Sequence, residues 1–325
     1  MGKTLEFNPY RHGIKRNRIT YELESGQTIW SLLPIQNKKL KQFLDELVSE
    51  LVKEYPDELV SFVLFGSATT GEWVRGKSDI DCIVIIKNKE LNEEIEKYLT
   101  QLLLILDAKH DLKLSETCTS YKKTDNLALD LIFKTENKMM FGQPFYVVAQ
   151  DQLNLKEFKI RKDFKTELGS RTIASLGLFL QRIKNTGVIL YGKDIRKEIP
   201  KVVPAIEKIK ASFNAMLLLM MSFIIFPYSP KSAFSHALKA NFWACDDVLF
   251  ALDRPLSTTK QEVKEICSIF GKSEIDSEHL LLSLEYKKTK EDMKMKKGFV
   301  MLYMLKSTKF VYGLYAVTLR KLFKL

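Results

Sequence analysis

The sequence is poor in the residues that staple or metallate small domains. Its four cysteines, Cys82, Cys118, Cys245 and Cys267, lie far apart and form no C-x-x-C pair. That argues against a zinc ribbon or a disulfide framework and fits a reducing, cytoplasmic setting. The four histidines, His12, His110, His236 and His279, stand singly, without metal-ligand spacing. Long apolar runs are absent as well. Ala215 to Phe226, 12 residues, is the longest, short of the roughly 20 that a membrane span needs. The opening MGKTLEFNPY has no apolar signal-peptide core, and Glu6 stands where a myristoylation signal has Ser or Thr. There is no internal repeat and no low-complexity segment.

The remainder is the composition of a globular protein large enough for two domains: 325 residues, 46% hydrophobic and 28% charged. The net charge is +11 and the pI about 9.2. From Lys201 onward there are 20 Lys and Arg against 12 Asp and Glu. Such a surface favours polyanionic partners, or is simply that of a lysine-rich protein with solvated helix faces.

One stretch carries chemistry: residues 61–86, SFVLFGSATTGEWVRGKSDIDCIVII. Two short apolar runs, Ser61–Phe65 and Ile83–Ile86, read as buried strands. The first ends in Gly66-Ser67 and the second opens with Asp79-Ile80-Asp81. Alternate residues of a strand share a face, so Asp79 and Asp81 are expected side by side, with Cys82 turned to the core. Paired carboxylates suit a hard cation such as Mg²⁺, which keeps positions open for phosphate oxygens. Gly66, without a Cβ, lets a backbone approach a phosphate. Ser67 adds a hydroxyl and is expected to cap the next helix. The parts fit a site for Mg²⁺ and a nucleoside triphosphate (NTP).

This stretch resembles the nucleotidyltransferase superfamily, whose signature is strand, Gly-Ser, helical turn, then Asp-x-Asp opening the next strand. The Ser78-Asp79-Ile80-Asp81 form and the Gly71-Glu72 pair are similar to the family as well. The resemblance implies an α+β fold: a mixed β-sheet flanked by helices, followed by an α-helical bundle. It implies transfer of a nucleoside monophosphate from an NTP, ATP foremost, to an acceptor hydroxyl, with Mg²⁺ as cofactor. Gly66 and Ser67 would hold the β- and γ-phosphates, and Asp79 and Asp81 the metal. Ser78, Arg75 and Lys77 belong to the same loop, and either basic residue would meet the triphosphate or face water. A third carboxylate is implied on a neighbouring strand. Asp130, alone in the apolar run Leu127–Phe133, takes that role here, with Asp111 and Glu116 as rivals.

Around this core the pattern gives a helix over Gln36–Glu54, with Leu40, Phe43, Leu44, Leu47, Leu51 and Val52 on its stripe. Further elements are a helix over Leu91–Leu106, strands over Asp111–Cys118 and Phe145–Ala149, and a helix over Arg171–Lys184. The segment Tyr191-Gly192-Lys193-Asp194 is similar to one that ends the catalytic domain in many two-domain members. Lys193 is there either a phosphate ligand or part of a cap turn. Five helices follow: one from Pro204 through Phe226, then Ser232–Leu252, Ser257–Phe270, Ser273–Lys297 and Phe299–Leu325, the last bent near Lys306–Lys309. The expected domains are a basic arm (1–34) with no clear period, whose run Arg11–Arg18 either touches nucleic acid or belongs to a mobile or loosely packed extension, a catalytic domain (35–200) and a helical domain (201–325).

The acceptor stays open between a small molecule, RNA and a protein, the last including an antitoxin that nucleotidylates its toxin; a non-catalytic nucleotide-binding member is a further alternative. The excess of basic residues from Lys201 onward counts against a polycationic small molecule. No arginine is followed four to six residues later by histidine, so the helical half does not resemble the ribonuclease partners of minimal nucleotidyltransferases. Asp246-Asp247 would bind a cationic substrate or, as read here, form a solvated helix face.

Overall fold

The computed structural model describes residues 3–7, 19–23, 38–76, 78–114, 145–157, 159–160, 175–271, 274–289 and 295–323. These fall into two compact units. The first holds the described residues up to 114, those from 145 to 160 and those from 182 to 201; the second holds 175–181 and 202–323.

In the first unit, β1 (Lys3–Phe7) pairs antiparallel with β2 (Ile19–Leu23). The arm therefore has regular structure where the sequence shows no clear period. The register sets Leu5 opposite Tyr21 and Phe7 opposite Ile19, and strands of five residues are too brief for a two-residue period to stand out. The basic run Arg11–Arg18 lies outside the described residues.

Helix α1 (Lys38–Glu54) buries Leu40, Phe43, Leu44, Leu47, Val48 and Leu51. It leads into β3 (Leu59–Phe65), the single-turn helix α2 (Ser67–Thr70), β4 (Asp81–Ile86) and α3 (Asn92–His110). After these come β5 (Phe145–Ala149), the short antiparallel pair β6 (Leu153–Asn154) and β7 (Lys159–Ile160), α4 (Leu176–Thr186), of which residues 176–181 belong to the second unit, and β8 (Val188–Gly192). The main sheet has the order β5-β4-β3-β8. β3 is antiparallel to both of its neighbours and β4 is parallel to β5, so the sheet is mixed. Ser61 to Phe65 and Cys82 to Ile86 are buried without a break. Strands covered on both faces lose the alternation of half-exposed ones and read as continuous apolar runs. Helix α1 packs on α3, and α3 on β5.

The expected strand from Asp111 does not start there. Asp111 ends α3 in the left-handed conformation (φ 54°), and residues 112–114 are irregular. Beyond Leu114 the expected strand lies outside the described residues. His110, expected in a loop, is the last residue of α3 and bonds Glu46 of α1 at 2.8 Å, with Lys109 on the other carboxylate oxygen. Those bonds hold the Glu46 carboxyl below its ordinary pKa.

The second unit contains α5 (Ala205–Ile225), α6 (Pro230–Ala251), α7 (Thr259–Ile269), α8 (Ser277–Thr289) and α9 (Lys297–Phe323). Helix α6 contacts the other four. Its small side chains Ala233, Ala237, Ala240 and Ala244 are fully buried and let the neighbours approach closely. The helix starts two residues earlier than expected because Ser229 caps it and Pro230 occupies its first turn, where a missing N–H costs nothing. Thr258 closes a capping box with Gln261 at the start of α7. Helix α9 runs unbroken through Lys306–Lys309.

The interior of this unit also holds polar groups. Asn241 of α6, His279 and Ser283 of α8, and Tyr303 and Ser307 of α9 are all buried. The Asn241 amide nitrogen lies 3.0–3.2 Å from the other four side chains. Asp247 is buried too, accepting a 2.6 Å bond from the Tyr315 hydroxyl. The expectation of a solvated face at Asp246-Asp247 is thereby corrected for Asp247: α9 covers that side of α6.

Burial pushes the His279 imidazole below its ordinary pKa, with Asp276 opposing and Lys306 reinforcing the shift. An unfolded histidine titrates near 6.5. Below that value the unfolded chain binds the proton more readily than the folded one, so stability falls as the pH drops. Thermal melts between pH 7.5 and 5 are expected to show a loss that is shallower in His279→Gln; identical slopes for the two proteins would contradict this.

Candidate active site

The turn from β3 into α2 is built around a glycine that no other residue replaces. Gly66 has φ 74° and ψ −151°, a region open essentially only to glycine. A Cβ there would lie 2.3 Å from Oδ2 of Asp81. The β3–β4 register, with Phe65 opposite Asp81, brings that carboxylate over the Gly66 backbone. Two first-choice site residues from separate parts of the motif are thus in direct contact.

Asp79 precedes the strand instead of opening it; β4 begins at Asp81. The alternation holds nonetheless, since Ile80 and Cys82 are fully buried while Asp79 and Asp81 are half-buried. Asp79 and Asp81 therefore share the more open side.

Ser67 is the first residue of α2 and not its cap. Gly66 occupies the cap position, and no side chain bonds there. The Ser67 Oγ is buried and has no hydrogen-bond partner. Gly71, at φ 75°, ends the turn, and Glu72 N donates to Ser67 O at 3.2 Å. Further along, Val74 N donates to Ser78 Oγ at 2.9 Å and Ser78 N to Val74 O at 2.9 Å. The Ser78 hydroxyl is thus engaged in closing the loop.

Arg75, read as meeting the triphosphate or facing water, is bonded to Asp111. Its Nε donates to Asp111 O at 2.7 Å and its guanidinium pairs with the Asp111 carboxylate. Gly76 N donates to Leu112 O at 3.2 Å. The loop is therefore clamped to the end of α3. Asp111 pairs also with Lys39 at 3.2 Å, and the hydrogen bond from Lys39, with the charge of Arg75, holds its carboxyl below the ordinary range. A carboxylate bound to two cations on the surface is a poor third ligand. Lys77, Glu116 and Asp130 lie outside the described residues.

Lys193 is not brought to this site. Its N–H donates to Val60 O at 2.9 Å and its carbonyl accepts from Ser61 Oγ at 2.7 Å. That is the start of β3, whereas Gly66 follows its end. Six residues of strand separate them, about 20 Å at about 3.3 Å per residue. The Lys193 ammonium pairs with Glu198 at 2.6 Å. It lines an open depression of about 310 Å³ with Val60, Ile85, Gln150 and Lys156. Gly192, with φ 76°, permits that close crossing: a Cβ would lie 2.1 Å from Val60 O.

Trp73, a departure from the family motif to which the motif gives no role, has a buried Nε1 without a partner in the same loop. Nothing in the spacing signals it, because an aromatic in a loop carries no periodicity.

The mixed sheet, Gly-Ser at a strand end and Asp-x-Asp entering the adjacent antiparallel strand are the arrangement that the resemblance to the nucleotidyltransferase superfamily implies. Residues 44–139 match the family model of the nucleotidyltransferase domain. Among solved structures, the chain is similar to spectinomycin adenyltransferase AAD(9) from Enterococcus faecialis, determined with ATP and spectinomycin. The TM-score is 0.50 at 12% identity, covering 84% of this chain and 98% of that one. Curated protein sequences give no match. The likeness is one of fold, and its coverage takes in the helical half.

Gly66→Ala places a Cβ against Asp81 and in a disfavoured backbone region. It is expected to lower stability by about 1–3 kcal/mol in urea unfolding; a variant as stable as wild type would show that this turn is not under the constraint described.

Proposed function

We propose that this chain is a Mg²⁺-dependent nucleotidyltransferase that moves a nucleoside monophosphate from an NTP, ATP foremost, to an acceptor hydroxyl. The observation that carries the reading is the Gly66–Asp81 contact, with the orphaned Ser67 hydroxyl beside it and Asp79 two residues away. Asp79 and Asp81 offer oxygen donors of the kind a hard cation takes, and leave coordination positions for phosphate oxygens. Among the described residues no cluster of three metal-ligating side chains occurs, so the third carboxylate remains assigned by proposal to Asp130.

Asp79 and Asp81 would hold Mg²⁺, which would supply charge neutralisation at the phosphates and lower the pKa of the acceptor hydroxyl. The chain's own residues do the rest. Gly66 presents backbone without a side chain, so the phosphate chain approaches closely. Ser67 donates its hydroxyl to a phosphate oxygen and thereby satisfies an atom that is otherwise buried and unpaired. Asp130 takes the proton of the attacking hydroxyl. The clamp of Arg75 on Asp111 keeps the loop between Ser67 and Asp79 in one shape.

The proposed acceptor is a small molecule bearing a hydroxyl; the similar structure, a spectinomycin adenyltransferase determined with ATP and spectinomycin, supports a small molecule. The catalytic domain is placed at 35–200 and the helical domain at 201–325, in a cytoplasmic protein. The carboxylates Glu207, Asp247 and Glu262 of the helical unit are buried and hydrogen-bonded, so none of them forms an open acidic wall for a polycation.

The test is pyrophosphate release from ATP with Mg²⁺ and a panel of hydroxyl-bearing small molecules that includes spectinomycin. Asp79→Asn and Asp81→Asn should each lower the rate by on the order of a hundredfold or more while the melting temperature stays near wild type. Full activity in either variant would displace the site from these residues.

A further inference from the structure

The loop between Ser67 and Asp79 carries a polar atom for which the protein itself has no use. The Trp73 Nε1 is buried and makes no hydrogen bond. An indole N–H only donates, and buried donors without an acceptor are rare enough in folded proteins to require an explanation. The loop fixes the backbone that carries this donor. On one side Glu72 N is bonded to Ser67 O at 3.2 Å; on the other Val74 N is bonded to Ser78 Oγ at 2.9 Å. Trp73 is the single residue between the two clamps. One leads to the Gly-Ser turn and the other to the residue before Asp79. The Ser67 Oγ is buried and unpaired as well.

Two unpaired donors on one closed loop match a ligand rich in acceptors. A triphosphate chain is such a ligand at neutral pH, since its oxygens accept and none need donate. A base edge offers donors and acceptors mixed, and matches less well. We infer that Trp73 is a nucleotide-contacting residue, its indole Nε1–H donating to a phosphate oxygen of the bound NTP. This rests on the nucleotidyltransferase reading above and adds a residue that the motif does not contain.

Trp73→Phe keeps the aromatic bulk and removes only the donor. Calorimetric titration of wild type and variant with ATP and with inorganic tripolyphosphate, each with Mg²⁺, separates the phosphate chain from base and sugar. The dissociation constant is expected to rise about tenfold for both ligands. The melting temperature of the ligand-free variant is expected to equal or exceed that of wild type, because no internal hydrogen bond is lost. Unchanged affinities would overturn the role of Trp73 and leave the nucleotidyltransferase reading standing. A loss confined to ATP would overturn the phosphate contact. A lowered melting temperature of the free variant would show that the N–H is bonded within the protein or to a resident water, and would overturn it too. Wild-type protein that binds neither ligand would overturn this inference together with the reading beneath it.

Discussion

The contact between the Gly66 backbone and the Asp81 carboxylate is the constraint on which the site depends. It requires the β3–β4 register, because a shift by one residue would turn Asp81 to the opposite face. It requires glycine, because any side chain would displace the carboxylate. It requires the buried strand pair, because an edge or a loop would not hold two backbones that close. The sequence meets these demands with two unbroken apolar runs, Ser61–Phe65 and Cys82–Ile86. The apolar strands exist to position a glycine and two aspartates at one end of the sheet.

The loop that joins the two halves of the site is kept in shape by its own chemistry. Gly71 ends the α2 turn, Ser78 ties the loop back to Val74, and Arg75 anchors it to the end of α3 through Asp111. The residues nearest to Ser67 and Trp73 are thus occupied, while the donors of those two are not. The helical unit also leaves buried polar atoms without a hydrogen bond, Asn241 Oδ1 and His279 Nδ1 among them. Its buried carboxylates have protein donors: Glu207 accepts from Ser175 and Gly177, and Asp247 accepts from Tyr315. There the polar interior joins helices to one another. Such networks are costly if left incomplete, which favours one packing arrangement over its competitors.

The fold class was legible because the Gly-Ser and Asp-x-Asp stretch resembles a known superfamily, the core strands are short apolar runs, and helices such as α1 and α7 carry a stripe. The Gly-Ser and Asp-x-Asp pairs were legible because their chemistry depends on spacing along the chain. What escaped depends on proximity across the chain. The Arg75–Asp111 pair joins residues 36 positions apart, and no local pattern announces it. Lys193 looked like a phosphate ligand because its neighbours Tyr191 and Gly192 resemble a family segment, but β8 runs antiparallel to β3 and delivers it to the far end of the sheet. Ser67 was expected to cap a helix, yet with Gly66 in the cap position it begins the helix and its hydroxyl is left over. The hairpin of β1 and β2 escaped because five-residue strands give too few periods to register.

The measurement that bears most directly on this account is a thermal-shift panel of wild type and Asp81→Ala against ATP, CTP, GTP and UTP, with and without Mg²⁺. The account predicts a melting temperature raised by nucleotide in wild type only, and only when Mg²⁺ is present, because binding to the folded state alone stabilises it. Equal shifts in wild type and Asp81→Ala, or none with any of the four nucleotides, would contradict the assignment of this site.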